Sequence, residues 1–395
     1  MAPIKNRNPM RLPLTYNVRS VIVRWRATLA TVLCTALVVA VYVVIQSLAV
    51  GLEKSSGNTG DPRNLLVVRR GATAESTSQI TPEQYRIIRY VEGIERDSSG
   101  LPLASSDLSL VINVPRARGG EANAIVRGVS PLGALLRPQV QLTKGRWFVP
   151  GKREVVVSER LAARLAGMQI GQSFTTGPVT LTIVGHFDAN RSAFDSEIWM
   201  DVNEARSIFD RENFSSVLLR PKNNEARERI ISQLENDKRF KLRALPEVDY
   251  YQEQIGAVKL IKILGSFLAT TMSIGAVFAA MNTMYAAVGA RTREIGTLRV
   301  LGYRRKSILA GFLIEGALLA LLGGVVGCTF SLIFNGWSVG TLSFETFSET
   351  VFDFRVTPML IAQGLAFSVV VGLVGSLLPA IRAARLPVIS ALKAT

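Results

Sequence analysis

His186 is the only histidine in the sequence, and with Asp188 and Asp195 it makes the nearest approach to a metal-ligand set. Zinc sites draw on His, Cys and carboxylate at close spacing. One His with two scattered carboxylates, following a strand-like run at 181–184, reads instead as a group of loop residues. A single histidine also removes most Ser-His-Asp chemistry. No GxxxxGK[ST] occurs, so the sequence offers no P-loop for a nucleotide. Cys34 and Cys328 lie in apolar runs and form neither a CxxC pair nor a disulfide framework. The sequence is thus expected to carry no catalytic residue, metal or cofactor. Glu315 is different, because it is the one charge in the apolar stretch 307–343. An acid inside a membrane faces protein or a cavity and is a functional candidate by default. Three roles fit it: pairing with a nearby arginine, a part in coupling, or proton and ion movement.

The elements around Glu315 follow from where charge is missing. Residues 27–52 are 26 without a charge and residues 263–290 are 28. With 307–343 and 356–381 they exceed the roughly 20 apolar residues that a hydrocarbon core about 30 Å thick requires of a helix. The first run is too long for the apolar part of a signal peptide, which has about 7–15 residues. It reads as an uncleaved span. Before it, RLPLTYNVRSVIVRWR (11–26) places Leu14, Val18, Val21 and Trp25 at spacings of four, three and four, the pattern of an amphipathic helix at a membrane interface.

The formal charge of +16 invites a nucleic-acid reading, but its distribution argues otherwise. Residues 1–26, 291–306 and 382–395 together carry +14, whereas the long polar segment 53–262 carries only +5. Basic excess in short segments next to spans marks the cytoplasmic side. No zinc spacing or compact basic domain accompanies it, so nucleic acid is not an expected partner. The acidic segment 344–355 is consistent with the opposite side. Residues 53–245 alternate short β-rich runs (65–68, 108–114, 124–129, 154–157, 179–184, 198–201) with helical patterns (159–166, 202–210, 224–237). Thr81-Pro82-Glu83-Gln84 has the cap, proline and glutamine of a helix start. An α+β domain large enough to bury its own core is expected. Trp147 and Phe148 in it could mark a partner surface or ordinary packing. Between Pro246 and Pro358 there is no proline. With Val248, Tyr251, Ile255 and Val258 at helical spacing, one helix from 247 to 290, roughly 65 Å long, is expected to project as a stalk. Gly323 and Gly327, and Gly364, Ser368, Gly372 and Ser376, give small-residue faces for close helix contact, within one bundle or at a dimer seam.

The segment ARTREIGTLRVLGYRRKSI (290–308) lies between the second and third spans. Topology explains its basic residues, but not why Glu294, Ile295, Gly296 and Leu298 sit among them at helical spacing with Gly302 where a C-terminal cap belongs. RTREIGTLRVLGYRRKSI resembles the loop between the second and third spans of the MacB/FtsX-like family of ABC transporter permeases. FLIEGALLALLGGVVG (312–327) resembles that family's third span, and PAIRAARLPVISALKAT (379–395) its cytoplasmic tail, with Leu386 where an acid is usual. WRATLAT (25–31) and GRWFVPGKREVVVSERLAARLA (145–166) resemble it more loosely.

The resemblance implies an α-helical membrane protein with four transmembrane helices plus an α+β extracytoplasmic (periplasmic) domain inserted between the first and second. The expected plan is a cytoplasmic amphipathic helix (1–26), first span (27–52), extracytoplasmic domain (53–245), stalk and second span (246–290), cytoplasmic coupling loop (291–306), third span (307–343), outer loop (344–355), fourth span (356–381) and cytoplasmic tail (382–395). Both termini are expected in the cytoplasm of a cell with the chain in its inner membrane. The resemblance further implies a homodimer, a separate cytoplasmic ABC ATPase subunit, a periplasmic adaptor (membrane fusion) protein and export or efflux driven by mechanotransmission. Contact with the ATPase falls to Arg291, Arg293, Glu294, Ile295, Gly296, Leu298, Arg299 and Gly302. The alternatives are an FtsX-like signalling subunit that regulates a cell-envelope enzyme, and a membrane-anchored enzyme or receptor with its site in 53–245.

Overall fold

The computed structural model describes residues 25–387 apart from 118, 178, 238, 255 and 343–348. The amphipathic pattern at 11–26 and the end of the tail therefore lie outside the described residues, save for the first residues of the opening helix. The chain divides into two compact units: one takes the chain to Val50, Leu260–Trp337 and the part from Phe354, the other Gly51–Lys259 with Ser338–Asp353.

The first unit is built on helices at Trp25–Gly57, Gly256–Ala290, Arg305–Ser331 and Pro358–Arg385. All four are long and apolar enough to cross a membrane. Their contacts are made where side chains are smallest. A Cβ on Gly327 would lie 2.5 Å from the Ala36 carbonyl, and one on Gly323 2.8 Å from that of Val32. Gly316 and Gly324 meet Ser376 and Ser368, Gly372 meets Ala320, and Gly375 meets Ala280. Both small-residue faces are thus used within one chain, where close backbone approach lets dispersion hold helices together in lipid. The expected third span, 307–343, is α-helical to Ser331, continues as a 3-10 turn to Phe334 and gives way to a strand at Ser338.

The second unit is organised on one sheet. Its strands are β1 (Leu65–Arg69), β2 (Ala104–Pro115), β3 (Glu121–Val129), β4 (Gln141–Gly145), β5 (Glu154–Ser158), β6 (Ser173–Thr176), β7 (Val179–Asp188), β8 (Glu197–Asp201), β9 (Ser216–Leu219) and β10 (Leu242–Pro246). The order is β10-β1-β9-β2-β3-β8-β5-β7-β4, with β6 on β7; β3 with β8 and β5 with β7 run parallel, the rest antiparallel. Alternation sends Leu65, Val67, Val126, Val155 and Ile198 to one core and Leu66, Val68, Val156, Trp199 and Leu218 to the other. The helix Pro82–Ile88 opens on the expected capping box: Gln84 N donates to Thr81 Oγ1 at 3.2 Å, and Thr81 N to Gln84 Oε1 at 2.9 Å.

The proline-free run after Pro246 is two helices rather than one. Glu247–Glu253 is followed by a turn at Gln254 and then by Gly256–Ala290. The short helix is captured by the polar domain, which buries Glu247, Tyr250 and Tyr251, while Gln254 Nε2 donates to Thr73 O at 2.6 Å. The segment expected as an outer loop, 344–355, contains strand β12 (Glu349–Asp353), paired antiparallel with β11 (Ser338–Leu342).

Candidate functional site

The basic segment between the second and third membrane helices folds as its own helix, Thr292–Val300. Arg291, at φ −111 and ψ 14, turns the chain out of the preceding helix, and Thr292 Oγ1 donates to Gly289 O at 2.8 Å. The other end is a Schellman closure. Gly302 N donates to Arg299 O at 3.2 Å and Tyr303 N to Leu298 O at 3.1 Å, with Gly302 at φ 98, a conformation that costs any residue with a Cβ.

The structure sorts the eight residues named from the sequence into two groups. Ile295 (2% exposed) and Gly296 are buried, Ile295 among Met284, Val288, Ile308 and Phe312. Arg291 turns inward as well, its Nη1 donating to Glu315 Oε2 at 3.0 Å with both side chains under a tenth exposed. These three hold the loop helix in place and are not on the face it presents. Arg293 and Glu294 are exposed, Leu298 and Arg299 half-buried, and Gly302 sits exposed at the cap. Sequence reading overlooked Val300 and Leu301, which are 61% and 62% exposed. An exposed apolar pair in a segment that also exposes Arg293, Arg304, Arg305 and Lys306 suits a protein cleft with apolar and acidic walls.

A second constellation lies inside the polar domain. Arg127, 1% exposed, donates Nε and Nη2 to the two oxygens of Glu197 at 2.7 and 2.9 Å, and Nη1 and Nη2 to those of Glu75 at 3.0 and 2.9 Å. Arg137, fully buried, donates to Asp107 Oδ2 at 2.6 Å and to Glu247 Oε1 at 2.8 Å. Burial alone would raise the Glu75 carboxyl, but the charge and hydrogen bonds of Arg127 outweigh it and hold it at about 2. Burial pushes the Tyr251 phenol far up, so its hydroxyl stays protonated and donates to Glu75 Oε2 at 3.0 Å. Glu247 continues the network to the two chain segments that lead toward membrane helices. Its Oε2 accepts from Asp61 N and Asn64 Nδ2, each at 2.9 Å, and its own N donates to Asn64 O at 3.0 Å. Gly60 lies against it at φ +87, where a Cβ would come 2.7 Å from Glu247 Cγ. One signal was available in the sequence: Arg127 interrupts an otherwise apolar strand, AIVRGV.

The histidine and its two carboxylates do not converge on a metal. His186 Nε2 pairs with Met168 O at 2.8 Å, and no group of metal-ligating side chains occurs among the described residues. Asp195, 1% exposed, accepts from Ala189 N at 2.8 Å. Burial pushes its carboxyl up to about 6, helped by Asp188 and opposed by the Ala189 amide and Arg160. The folded state thus binds this proton more tightly than the unfolded chain. The cost is full above about pH 6 and fades as pH falls toward the ordinary value of 3.8. Asp195→Asn is expected to stabilise the domain at pH 7.5 by about 3 kcal/mol and to make little difference near pH 4. Amide exchange of β5 and β8 at the two pH values measures this, and equal protection at pH 7.5 would contradict it. Trp147 and Phe148 pack edge-to-face with ring centroids 6.1 Å apart and line a shallow apolar cavity of about 400 Å³ with Pro131, Leu135 and Pro150.

With this geometry in place, comparison with known proteins is informative. The family model described as FtsX-like permease C-terminal matches residues 266–388, and that described as MacB-like periplasmic core domain matches 28–237. An uncharacterized ABC transporter permease, YknZ of Bacillus subtilis, is 26% identical over 340 residues, covering 82% of this chain and 80% of that protein. The macrolide export ATP-binding/permease protein MacB of Chromobacterium violaceum is 26% identical over 296 residues, 70% of this chain but 44% of its own length. The MacB of Azoarcus sp. is 37% identical over 130 residues, 33% of this chain and 18% of that protein. The chain thus spans less than half the length of these two MacB relatives. The crystal structure of the extracellular domain of YknZ resembles 46% of this chain and 99% of its own, at 14% identity and a TM-score of 0.36.

Proposed function

This chain belongs to the MacB-like and FtsX-like family of ABC transporter permeases, and from that premise we propose that it is the membrane subunit through which a separate cytoplasmic ABC ATPase drives export. The loop helix Thr292–Val300 is the seat for that ATPase. It is short, closed at its C-terminal end by Gly302, pinned beneath by Ile295 and by Arg291 on Glu315, and it presents Arg293, Glu294, Val300 and Leu301 outward. That pairing of a fixed underside with an exposed face is the observation that carries the reading. A seat that yielded on its base would absorb displacement, whereas a fixed one passes it to the membrane helices it joins.

The helix Gly256–Ala290 has 35 residues, roughly 52 Å at 1.5 Å per residue, and so is long enough to carry movement across a bilayer. At its far end, across the turn at Gln254, stands the short helix whose Glu247 is fastened to Asn64 and Arg137. Both termini in the cytoplasm, the polar domain on the outer side, a homodimer and a periplasmic adaptor complete the arrangement. Among relatives, MacB is named for macrolide export; for this chain we propose export without specifying the cargo.

Replacing Glu294 and Arg299 together by alanine is expected to leave membrane insertion and the fold unchanged. In complexes reconstituted with the ATPase, the same change should lower permease-stimulated hydrolysis by at least tenfold. Full stimulation by the double variant would overturn the assignment.

A further inference from the structure

The hairpin β11–β12 lies between the third and fourth membrane helices in sequence, yet it belongs to the same compact unit as Gly51–Lys259. What fastens it there is chemically specific. Asp353 closes the hairpin opposite Ser338, with its side chain only 6% exposed. Its two oxygens lie 3.0 and 3.1 Å from Arg160 Nη1. Ser338 Oγ donates to Oδ1 at 2.7 Å, and Arg191 Nε stands 3.5 Å from Oδ2. Two residues along, Val351 N donates to Ser196 Oγ at 2.8 Å, and Val351 and Phe352 are 3% and 2% exposed.

The other side of the contact is equally determined. Arg160 stands on the one-turn helix Glu159–Ala162 directly after β5, with its Nε 3.8 Å from Asp195 Oδ2. It therefore bridges an acid of the domain and an acid of the hairpin. Asn190 and Arg191 are consecutive non-glycine residues in the left-handed region, at φ 54 and 58, a conformation that costs free energy and persists only where surroundings enforce it. Asn58 Nδ2 donates to Asn190 O at 3.4 Å, and the bend aims Arg191 at Asp353. Two cations face two carboxylates, Asp353 on the last residue of β12 and the other three on backbone that precedes or follows a strand.

We propose that Arg160 is a latch residue that fastens the hairpin between the third and fourth membrane helices to the polar domain through Asp353. The domain is joined by its own chain only to the first and second membrane helices. The latch adds the other two, and the third helix begins at Arg305, directly after the loop on which the ATPase is proposed to act. Displacement at that loop then reaches the domain by two routes. This mechanical meaning rests on the function proposed above; the latch itself does not.

Amide hydrogen exchange on the full chain in lipid nanodiscs, without ATPase, tests the latch. Arg160→Gln and Asp353→Asn are each expected to speed exchange at Val351 and Asp353 at least tenfold while leaving β2 and β3 unchanged. The exchanged pair, Arg160→Asp with Asp353→Arg, is expected to recover a substantial part of the protection. Wild-type exchange in β12 of both single variants would overturn the latch. Should Arg160→Gln also expose β2 and β3, Arg191→Gln with Ser338→Ala, which leaves Arg160 and Asp195 untouched, is expected to speed β12 alone by about threefold; no change there would equally overturn it. In complexes with the ATPase, Arg160→Gln is expected to halve stimulated hydrolysis or better. Normal stimulation with a released hairpin would refute the second mechanical route, whereas loss of effect in the Glu294/Arg299 variant would refute the function proposed above and leave the exchange result standing.

Discussion

Arg127→Met should cost the polar domain about 3–5 kcal/mol at pH 7.5, a large share of the roughly 5–15 kcal/mol that holds a domain folded. The reason is asymmetry. The intact pair of ion bridges has a modest net value, because its Coulomb energy offsets the desolvation of three charges. Removing the guanidinium refunds none of that desolvation for Glu75 and Glu197, which stay buried with Ser216 Oγ, Tyr251 OH and Trp199 Nε1 as their nearest donors. The dependence on pH separates this account from a simple packing defect. In the native chain Glu75 is held at about 2, below its ordinary 4.5, so it adds stability that is present above about pH 4.5 and is lost as pH falls toward 2. In the variant the same carboxyl keeps its burial with only the more distant Arg137 as a cation, and its proton is bound more tightly than in the native chain. Its cost is then full at neutral pH and shrinks on acidification, so the gap between variant and native chain should narrow steadily from pH 7.5 to pH 4.5. Adding Glu75→Gln and Glu197→Gln to Arg127→Met should recover most of the loss at neutral pH. Exchange protection of β3 and β8 on the full chain follows all three. A variant as protected as the native chain at pH 7.5, or a deficit that does not change with pH, would refute the charge argument.

That network also marks the limit of what the linear sequence discloses. Helical spans are legible because a bilayer imposes a one-dimensional rule, about 20 residues without charge, and the chain obeys it four times. Caps are legible for a similar reason. Thr81 with Gln84, and Gly302 after Val300, act within a few residues of themselves. Strand β9 (SVLL) escapes detection because its four residues are all buried between β1 and β2, so nothing alternates, and β10 (LRALP) because it is an edge strand whose one partner, β1, lies far back in the sequence. The break at Gln254 is hard to read for a similar reason: Glu247 and Tyr251, which fasten the short piece, are held by residues 110 to 183 positions away. For the loop helix, spacing revealed that a helix would form, but not which face the bundle would take. That Glu315 could pair with an arginine is readable, but not that Arg291, 24 residues before it, is the one.

Glu315→Leu should then destabilise the membrane bundle by about 3–5 kcal/mol, since Arg291 would keep its charge in a site where side chains are under a tenth exposed. Of the three roles open to this acid, pairing is the one whose geometry is realised, with Oε2 3.0 Å from Arg291 Nη1. Pairing and coupling are not exclusive, because Arg291 is the hinge at which the second membrane helix ends and the loop helix starts. Arg291→Met with Glu315→Leu separates the two. Replacing both charges by apolar groups of similar volume is near neutral for stability, so the double variant should regain most of what either single change loses, as read by thermal inactivation in detergent. If the pair serves only to hold the loop helix, the function proposed above predicts that the double variant stimulates an ABC ATPase as much as the unchanged chain, because Ile295 still anchors the underside. If the charges themselves take part in transmitting the stroke, stability returns and stimulation does not. We expect stimulation to return with stability, and a stable double variant that fails to stimulate would show that the bond between Arg291 and Glu315 does more than fix a position.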